Sequence, residues 1–244
     1  MKKLVVVFSG AGLSAESGIP TFRDADGLWE NHKVMDVAHP DGWRKDKKLV
    51  LEFYKQRFLS IKNAQPNEAH ISIAKLQEKF DVINITQNID DLLERAECKN
   101  IVHLHGSILG RKCEWHKSNT MLDGDTHYTC DYATTHDKPI EFSDLCPKCN
   151  NNLRPDVVWF EEPVINLNYE YIRDLVKEIK YNDGIFICVG TSGQVYPAAA
   201  LIPMFTQVTN KYIIDLKPKK IGNYTLLEGK ASEKMKELAE RLLQ

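Results

Sequence analysis

The sequence predicts an α/β fold: a doubly wound, Rossmann-like parallel sheet with a smaller zinc-binding and helical module inserted. Three observations predict it. Short β-branched runs alternate with helical patterns, a glycine turn follows the first run, and one stretch crowded with cysteine and histidine breaks the alternation. The 244 residues suit one large domain, or one domain with an insertion. With 43% hydrophobic and 27% charged residues, the composition is that of a soluble chain that buries a core. A net charge of −2 offers no nucleic-acid footprint. The apolar run in "MKKLVVVFSG" is too short for a signal-peptide core, and no stretch reaches membrane-spanning length, so the cytoplasm is the expected compartment.

In chain order, strands are expected at "LVVVF" (4–8), "DVINIT" (81–86), "NIVHLH" (100–105), "GIFICVG" (184–190) and "KYIID" (211–215). Several are nearly continuous apolar runs, as strands covered on both faces should be. Helices are expected at 67–80, 168–180, 196–210 and 232–243 between or after them. Segment 30–62 carries a helical pattern, "DKKLVLEFYKQRFLSIK", without an obvious strand. Segment 108–155 is polar and rich in Cys and His. The division that follows is 1–29, 63–107 and 156–244 for the sheet domain, with 30–62 and 108–155 as the smaller module.

The turn after the first strand, Gly10-Ala11-Gly12, lets backbone approach a phosphate, with the amides of a short helix from Leu13 to Ser17 behind it. A dinucleotide dehydrogenase would continue through a full helix into a second strand. Here "SGIPTFRDADGLW" intervenes, which disfavours hydride transfer. Phe22 and Arg23 suit a loop that folds over a bound cofactor and expels water; the alternative is a packed Phe22 and a solvated Arg23. Further on, "TQNIDDL" and "HLHG" each follow a strand, at the edge where open α/β sheets place ligand groups. Two neighbouring strands delivering Gln87, Asn88, Asp90 and His105 to one edge point to a site.

The motifs "GAGLSAESGIPTFR", "TQNID", "HLHG", "RPDVVWF", "GTSGQVYPAA" and "GKASE" stand in the order seen in sirtuins, and the resemblance spans essentially the whole chain. It is strongest to bacterial CobB-type sirtuins. The resemblance implies an NAD-dependent protein-lysine deacylase, in which NAD is consumed as a co-substrate. It implies that Gly10, Ala11 and Gly12 hold the pyrophosphate and that Phe22 and Arg23 close over the cofactor. Ala11, Ile19, Asn88 and Asp90 should form the nicotinamide pocket, with Gln87 and Ile89 from the same "TQNID" motif at the cofactor. Gly190, Thr191, Ser192 and Ala231 should contact the ribose and adenine side. Asp215 stands where the family usually has Asn. The same resemblance makes His105 the general base on a ribose hydroxyl, with Val158 and Trp159 lining a tunnel for the acyl-lysine of a protein or peptide substrate. In "RPDVVWFEE", Glu161 replaces the family's usual glycine.

Tyr54 and Arg57 lie three apart and share a helix face. They match the Tyr-x-x-Arg pair of class III sirtuins, which remove succinyl and malonyl groups, and Ala38 also matches that class. The alternative is a packed Tyr54 and a solvated Arg57. The family also implies one structural zinc. Cys113, Cys146 and Cys149 should then be ligands, with Cys130 or His116 as the fourth; the family's four thiolates favour Cys130. Cys98 and Cys188 read as buried thiols. A rival reading keeps NAD cleavage but transfers ADP-ribose to protein. A monomer is expected, with no nucleic-acid or membrane partner.

Overall fold

The computed structural model describes residues 2–21, 28–29, 32–116, 129–164 and 166–244. The chain starts with β1 (Leu4–Ser9), followed by two 3-10 turns, Ala11–Leu13 and Ala15–Ser17. Two-residue strands β2 (Leu28–Trp29) and β3 (His32–Lys33) lead into α1 (Val34–Val37), α2 (Pro40–Lys45), α3 (Lys47–Asn63) and α4 (Glu68–Leu76). Then come β4 (Asp81–Thr86), α5 (Leu92–Arg95), β5 (Ile101–His103), β6 (Gly106–Cys113), β7 (Ala133–Thr135) and β8 (Leu153–Val157). The chain ends with α6 (Tyr169–Tyr181), β9 (Ile185–Val189), α7 (Leu201–Met204), β10 (Asn210–Asp215), β11 (Thr225–Glu228) and α8 (Ala231–Leu243).

Six strands pair in the order β11-β10-β9-β1-β4-β5, every pairing parallel. All six residues of β1 and all five of β9 are buried, which explains why both read as unbroken apolar runs. Alternate side chains divide between two cores. Val5, Val7, Ile185 and Ile187 pack with Ile73, Leu76, Met235 and Leu238 of α4 and α8. Val6, Phe8, Phe186 and Cys188 pack with Ile172, Leu175 and Leu201 of α6 and α7. The reversal of strand order at β1 is the switch point at which such sheets bind ligands.

A second unit holds the antiparallel sheet β7-β6-β8 and the helices α1 to α3, joined by a third core that includes Trp43, Phe53, Tyr54, Phe58, Cys113, Leu153 and Trp159. Trp43 Nε1 donates to Glu114 Oε2 at 3.0 Å, and Lys47 Nζ lies 2.5 Å from the same oxygen, tying the helices to the cysteine-bearing strand.

Three expectations need correction. The helix expected over 196–210 is a 3-10 turn, Ala198–Ala200, and the single-turn α7, because Pro197 and Pro203 withhold backbone donors from a longer helix. The helix expected from Leu13 to Ser17 is replaced by the two 3-10 turns, each of three residues. The strand expected over 100–105 ends at His103, which leaves His105 in the turn to β6. Phe22 and Arg23 lie outside the described residues.

Candidate active site

The glycines of the first turn serve the close approach of β1 to β9. A Cβ on Gly10 would lie 2.7 Å from Thr191 Cβ, and one on Gly12 would lie 2.7 Å from Gly190 Cα. Gly12 N donates to Gly190 O at 2.8 Å, and Gly10 N to Val189 O at 3.1 Å. Gln87 then joins three strands: its N–H donates to Ser9 O at 2.9 Å and its side chain to Thr191 Oγ1 at 3.0 Å. Ser192 is half-buried beyond Thr191, while Asp215 and Ala231 are buried at the end of β10 and the start of α8. The first turn of α8 is fastened to the glycine turn's exit, since Ser232 donates from N and Oγ to the two oxygens of Glu16.

Deeper in, a closed polar network surrounds Ser14, which is 1% exposed. Ser14 Oγ donates to Asp90 Oδ2 at 2.9 Å and accepts from Asn88 Nδ2 at 3.1 Å. His70 Nε2 lies 3.4 Å away. His70 Nδ1 accepts from Asn67 N at 3.2 Å, so the ring's proton sits on Nε2 and fills the hydroxyl's second lone pair. Burial pushes the Asp90 carboxyl up, although the Leu92 N–H and Ser14 hydroxyl oppose this. Burial drives His70 down to about 4. Ser14 and His70 were not among the expected site residues. The one local signal was "NEAH", an Asn followed three residues later by a side chain that returns to its N–H, a capping box with histidine in place of glutamate.

His70 carries a stability prediction. The unfolded imidazole takes up a proton near its ordinary value, whereas the folded one resists until about 4. Stability therefore falls as pH drops through that window, by about 3 kcal/mol for this group. Chemical denaturation of His70→Gln should show a shallower loss over that window than the unaltered protein.

His105 is fixed by two hydrogen bonds and by the glycine that follows it. Its Nδ1 is 3.0 Å from Gln87 O, a carbonyl that only accepts, so Nδ1 carries the hydrogen and Nε2 keeps a lone pair. Its own carbonyl accepts from Val158 N at 2.9 Å. Gly106 follows at φ +75°, where a Cβ would strike Asp156 O at 2.1 Å, so only glycine permits the turn that seats His105 against β8. Burial holds the imidazole below its ordinary value, against the pull of the Gln87 carbonyl.

Ile19, Ala38, Tyr54 and Trp159 are buried in one apolar cluster, with Ile89 packed against it. Trp159 Nε1 donates to Tyr54 Oη at 3.1 Å. Burial raises the Tyr54 phenol to about 12, despite the neighbouring Arg57 charge, so its hydroxyl keeps a proton to donate. Arg57, 5% exposed, is one turn along α3 with its guanidinium 5.8 Å from the Phe53 ring. Its burial excludes the solvated-charge alternative. Val158 is half-buried. The amides of Val158, Trp159 and Phe160 all donate within the protein, to His105 O, Glu162 Oε2 and Ala38 O. Peptide addition along this segment thus requires carbonyl-only pairing or exchange of those bonds. Glu162 is itself held by Arg154 through contacts of 2.6 and 3.0 Å, a buried ion pair. Glu161 takes φ +68° and sets Oε2 3.0 Å from His39 Nε2, so the turn keeps a left-handed backbone although glycine is gone.

Cys113, Cys130, Cys146 and Cys149 bring their sulfurs within 4.8 Å of one another. The separations of 3.3 Å (Cys113–Cys149) and 3.7 Å (Cys130–Cys146) approach the ~3.8 Å that tetrahedral Zn–S bonds of ~2.3 Å demand. The donor set therefore fits zinc, and Cys130 is the fourth member of the cluster. His116 contributes a backbone bridge to Cys130 instead. Cys98 and Cys188 are buried apart from this group. Among the described residues, no helix is long and apolar enough to cross a membrane.

These features define an α/β protein with its site at the carboxyl ends of parallel strands and a four-thiolate module beside it. A model of the Sir2 family matches residues 10–197. The chain is 40% identical over its full length to an NAD-dependent protein deacylase of Helicobacter pylori, spanning 99% of that protein. It is also 40% identical to one of Thermococcus sibiricus, over 97% of this chain and 90% of that one. A solved Sir2 homolog–NAD complex superposes with a TM-score of 0.80 at 36% identity, covering 99% of this chain and 90% of that one. A Sir2–p53 peptide–NAD+ complex gives 0.71 at 28%, covering 99% and 92%. The chain belongs to the Sir2 family.

Proposed function

We propose that this protein, an NAD-dependent protein deacylase, removes succinyl and malonyl as well as acetyl groups from lysine side chains. The deacylase activity follows from family membership and from 40% identity across the full length to proteins of that name. NAD, when bound, supplies the ribose carbon whose bond to nicotinamide is broken. Gly10, Ala11 and Gly12 would lie along its pyrophosphate, Gly190, Thr191, Ser192, Asp215 and Ala231 on its adenosine side, and Ile19, Gln87, Asn88, Ile89 and Asp90 around nicotinamide. A preorganised polar wall suits that bond cleavage, because charge develops on the ribose. The hydrogen-bonded set Ser14, Asn88 and Asp90 supports this placement. His105 accepts a proton at Nε2 from a ribose hydroxyl, since Nδ1 is already committed to Gln87.

The observation that carries the acyl preference is a phenol buried in the same cluster as Trp159, with a buried guanidinium one turn along the helix beside the Phe53 ring of that cluster. Tyr54 accepts from Trp159 and keeps its own hydrogen to give, and Arg57 places a cation one turn away. A carboxylate at the tip of a succinyl or malonyl chain meets both; an acetyl methyl meets neither. Val158 and Trp159 would line the lysine's path, and Ala38 leaves room beside it.

Arg57→Met tests this. A charge-assisted bond contributes roughly 1.5–3 kcal/mol, so succinyl-lysine turnover should fall about ten- to a hundredfold while acetyl-lysine turnover is largely kept. Mass spectrometry of succinyl, malonyl and acetyl versions of one peptide, with and without NAD, measures both. Equal losses on all three would defeat the carboxylate clamp.

A further inference from the structure

His103 plays no part in the chemistry assigned to His105, yet both of its ring nitrogens are engaged. Nδ1 lies 2.9 Å from Asn88 O, and Nε2 lies 2.7 Å from Glu94 Oε1. A carbonyl and a carboxylate can only accept, so a ring that serves both carries two protons; a neutral imidazole serves one. The charges acting on the ring are both acidic: Glu94 from α5, and Asp90 from the turn after β4. Asn166 reaches the same residue with an uncharged amide, donating to His103 O at 2.8 Å, and β4 sets Thr86 in register with it. Burial favours the neutral ring, but the Glu94 bond, the Asn88 carbonyl and the two negative charges outweigh it and hold His103 above its ordinary value.

The partner at Nδ1 matters because Asn88 is gripped from three sides. Its N–H donates to Thr86 Oγ1 at 3.0 Å, its side chain donates to Ser14 Oγ at 3.1 Å, and its carbonyl is the atom His103 holds. The first two grips come from the buried interior. The third runs out to Glu94, whose side chain is 44% exposed.

We propose that His103, kept as an imidazolium by Glu94, is a positioning residue for the co-substrate reaction: it fixes the Asn88 peptide plane, and with it the direction of the Asn88 amide. The proposal rests on the reading that Asn88 faces the nicotinamide end of NAD. It assigns the enzyme a second histidine with the opposite protonation requirement. His105 must be neutral to accept a proton, and His103 must be charged to hold two acceptors. Efficiency towards NAD should thus rise with pH through the His105 value and fall as pH passes the His103 value.

The test follows kcat/KM for NAD, together with KM for an acetyl-lysine peptide, from mildly acidic to alkaline pH. Glu94→Gln is isosteric and partly exposed, so its fold is retained; its alkaline fall should move to lower pH with the peptide KM unchanged. His103→Ala should lower kcat/KM for NAD about tenfold, the value of one charge-assisted bond, and abolish the alkaline fall. His103→Asn, whose amide can donate in place of Nδ1, should recover part of that efficiency on a profile that no longer declines. An alkaline fall that stays put in Glu94→Gln and survives in His103→Asn overturns the proposal. Asn88→Ala separates the two levels of the argument. If it impairs NAD kinetics while the His103 variants do not, the clamp alone is wrong. If it leaves NAD kinetics intact, the pocket reading fails and the proposal with it.

Discussion

His105→Ala should lower deacylation turnover by about 10²- to 10⁴-fold, the range a positioned general base contributes, with KM for NAD little changed. The direction follows from the tautomer. Gln87 O holds the hydrogen on Nδ1, so the only lone pair on the ring is at Nε2, and burial keeps that nitrogen unprotonated at neutral pH. In the unaltered enzyme the acid limb of kcat should therefore lie below the ordinary histidine range, because the imidazole must lose its proton to act and burial makes that loss easier. A pH profile of kcat on an acylated peptide measures both effects. Turnover of the wild-type order in His105→Ala, or an acid limb above the ordinary range, would remove His105 from the reaction. The partner variant His105→Gln keeps most of the side-chain volume, so a loss shared by both is chemical and not a packing defect.

The parts of this architecture that were legible are those set by local pattern. Strands β1 and β9 are buried on both faces, and nothing but an apolar run can satisfy that. His105, Asn88 and Asp90 could be proposed as site residues because the loops that leave neighbouring strands of a parallel sheet converge on one edge, although His105 lies in the turn beyond β5 and not in the strand. Long-range pairing left no such trace. Ser14 meets Asn88 and Asp90 from more than seventy positions away, and its serine sits in a turn where serine needs no explanation. Strands β6 and β8 contain Gly106, Gly110 and Pro155 and change register between Gly106 and Arg111, so neither shows a clean period of two. The glycines of the first turn were visible, but for a partly different reason: they admit the backbone of Gly190 as a neighbour. The choice of Cys130 over His116 needed the fold, since both residues sit within reach of Cys113 along the chain and only the sulfur turns into the cluster.

Removal of zinc should unfold the smaller unit and silence the enzyme, although the chemistry proposed for His105 does not call on the metal. Cys113 is the last residue of β6, and Gly106, next to His105, is its first. Strand β8 pairs along β6 and continues directly into Val158 and Trp159. The four-thiolate cluster thus secures the far ends of two strands whose near ends lead to His105 and to Val158 and Trp159, the proposed base and channel wall. Three of the cysteines, Cys113, Cys130 and Cys146, also belong to the same core as Tyr54 and Trp159. Zinc binding to such a site is worth on the order of 10 kcal/mol, comparable with the whole stability of a domain, about 5–15 kcal/mol, so the module has no reserve with which to replace it. Cys146→Ser, or treatment with a strong chelator, should release one zinc per chain, erase the near-ultraviolet dichroism of Trp43 and Trp159, and abolish deacylation, while the parallel sheet, with its own two cores, keeps much of its far-ultraviolet signal. Metal analysis, circular dichroism and turnover on one preparation decide it. Full activity in a preparation shown to be free of zinc would mean that the thiols pack without a metal and that the strands holding His105 need no anchor.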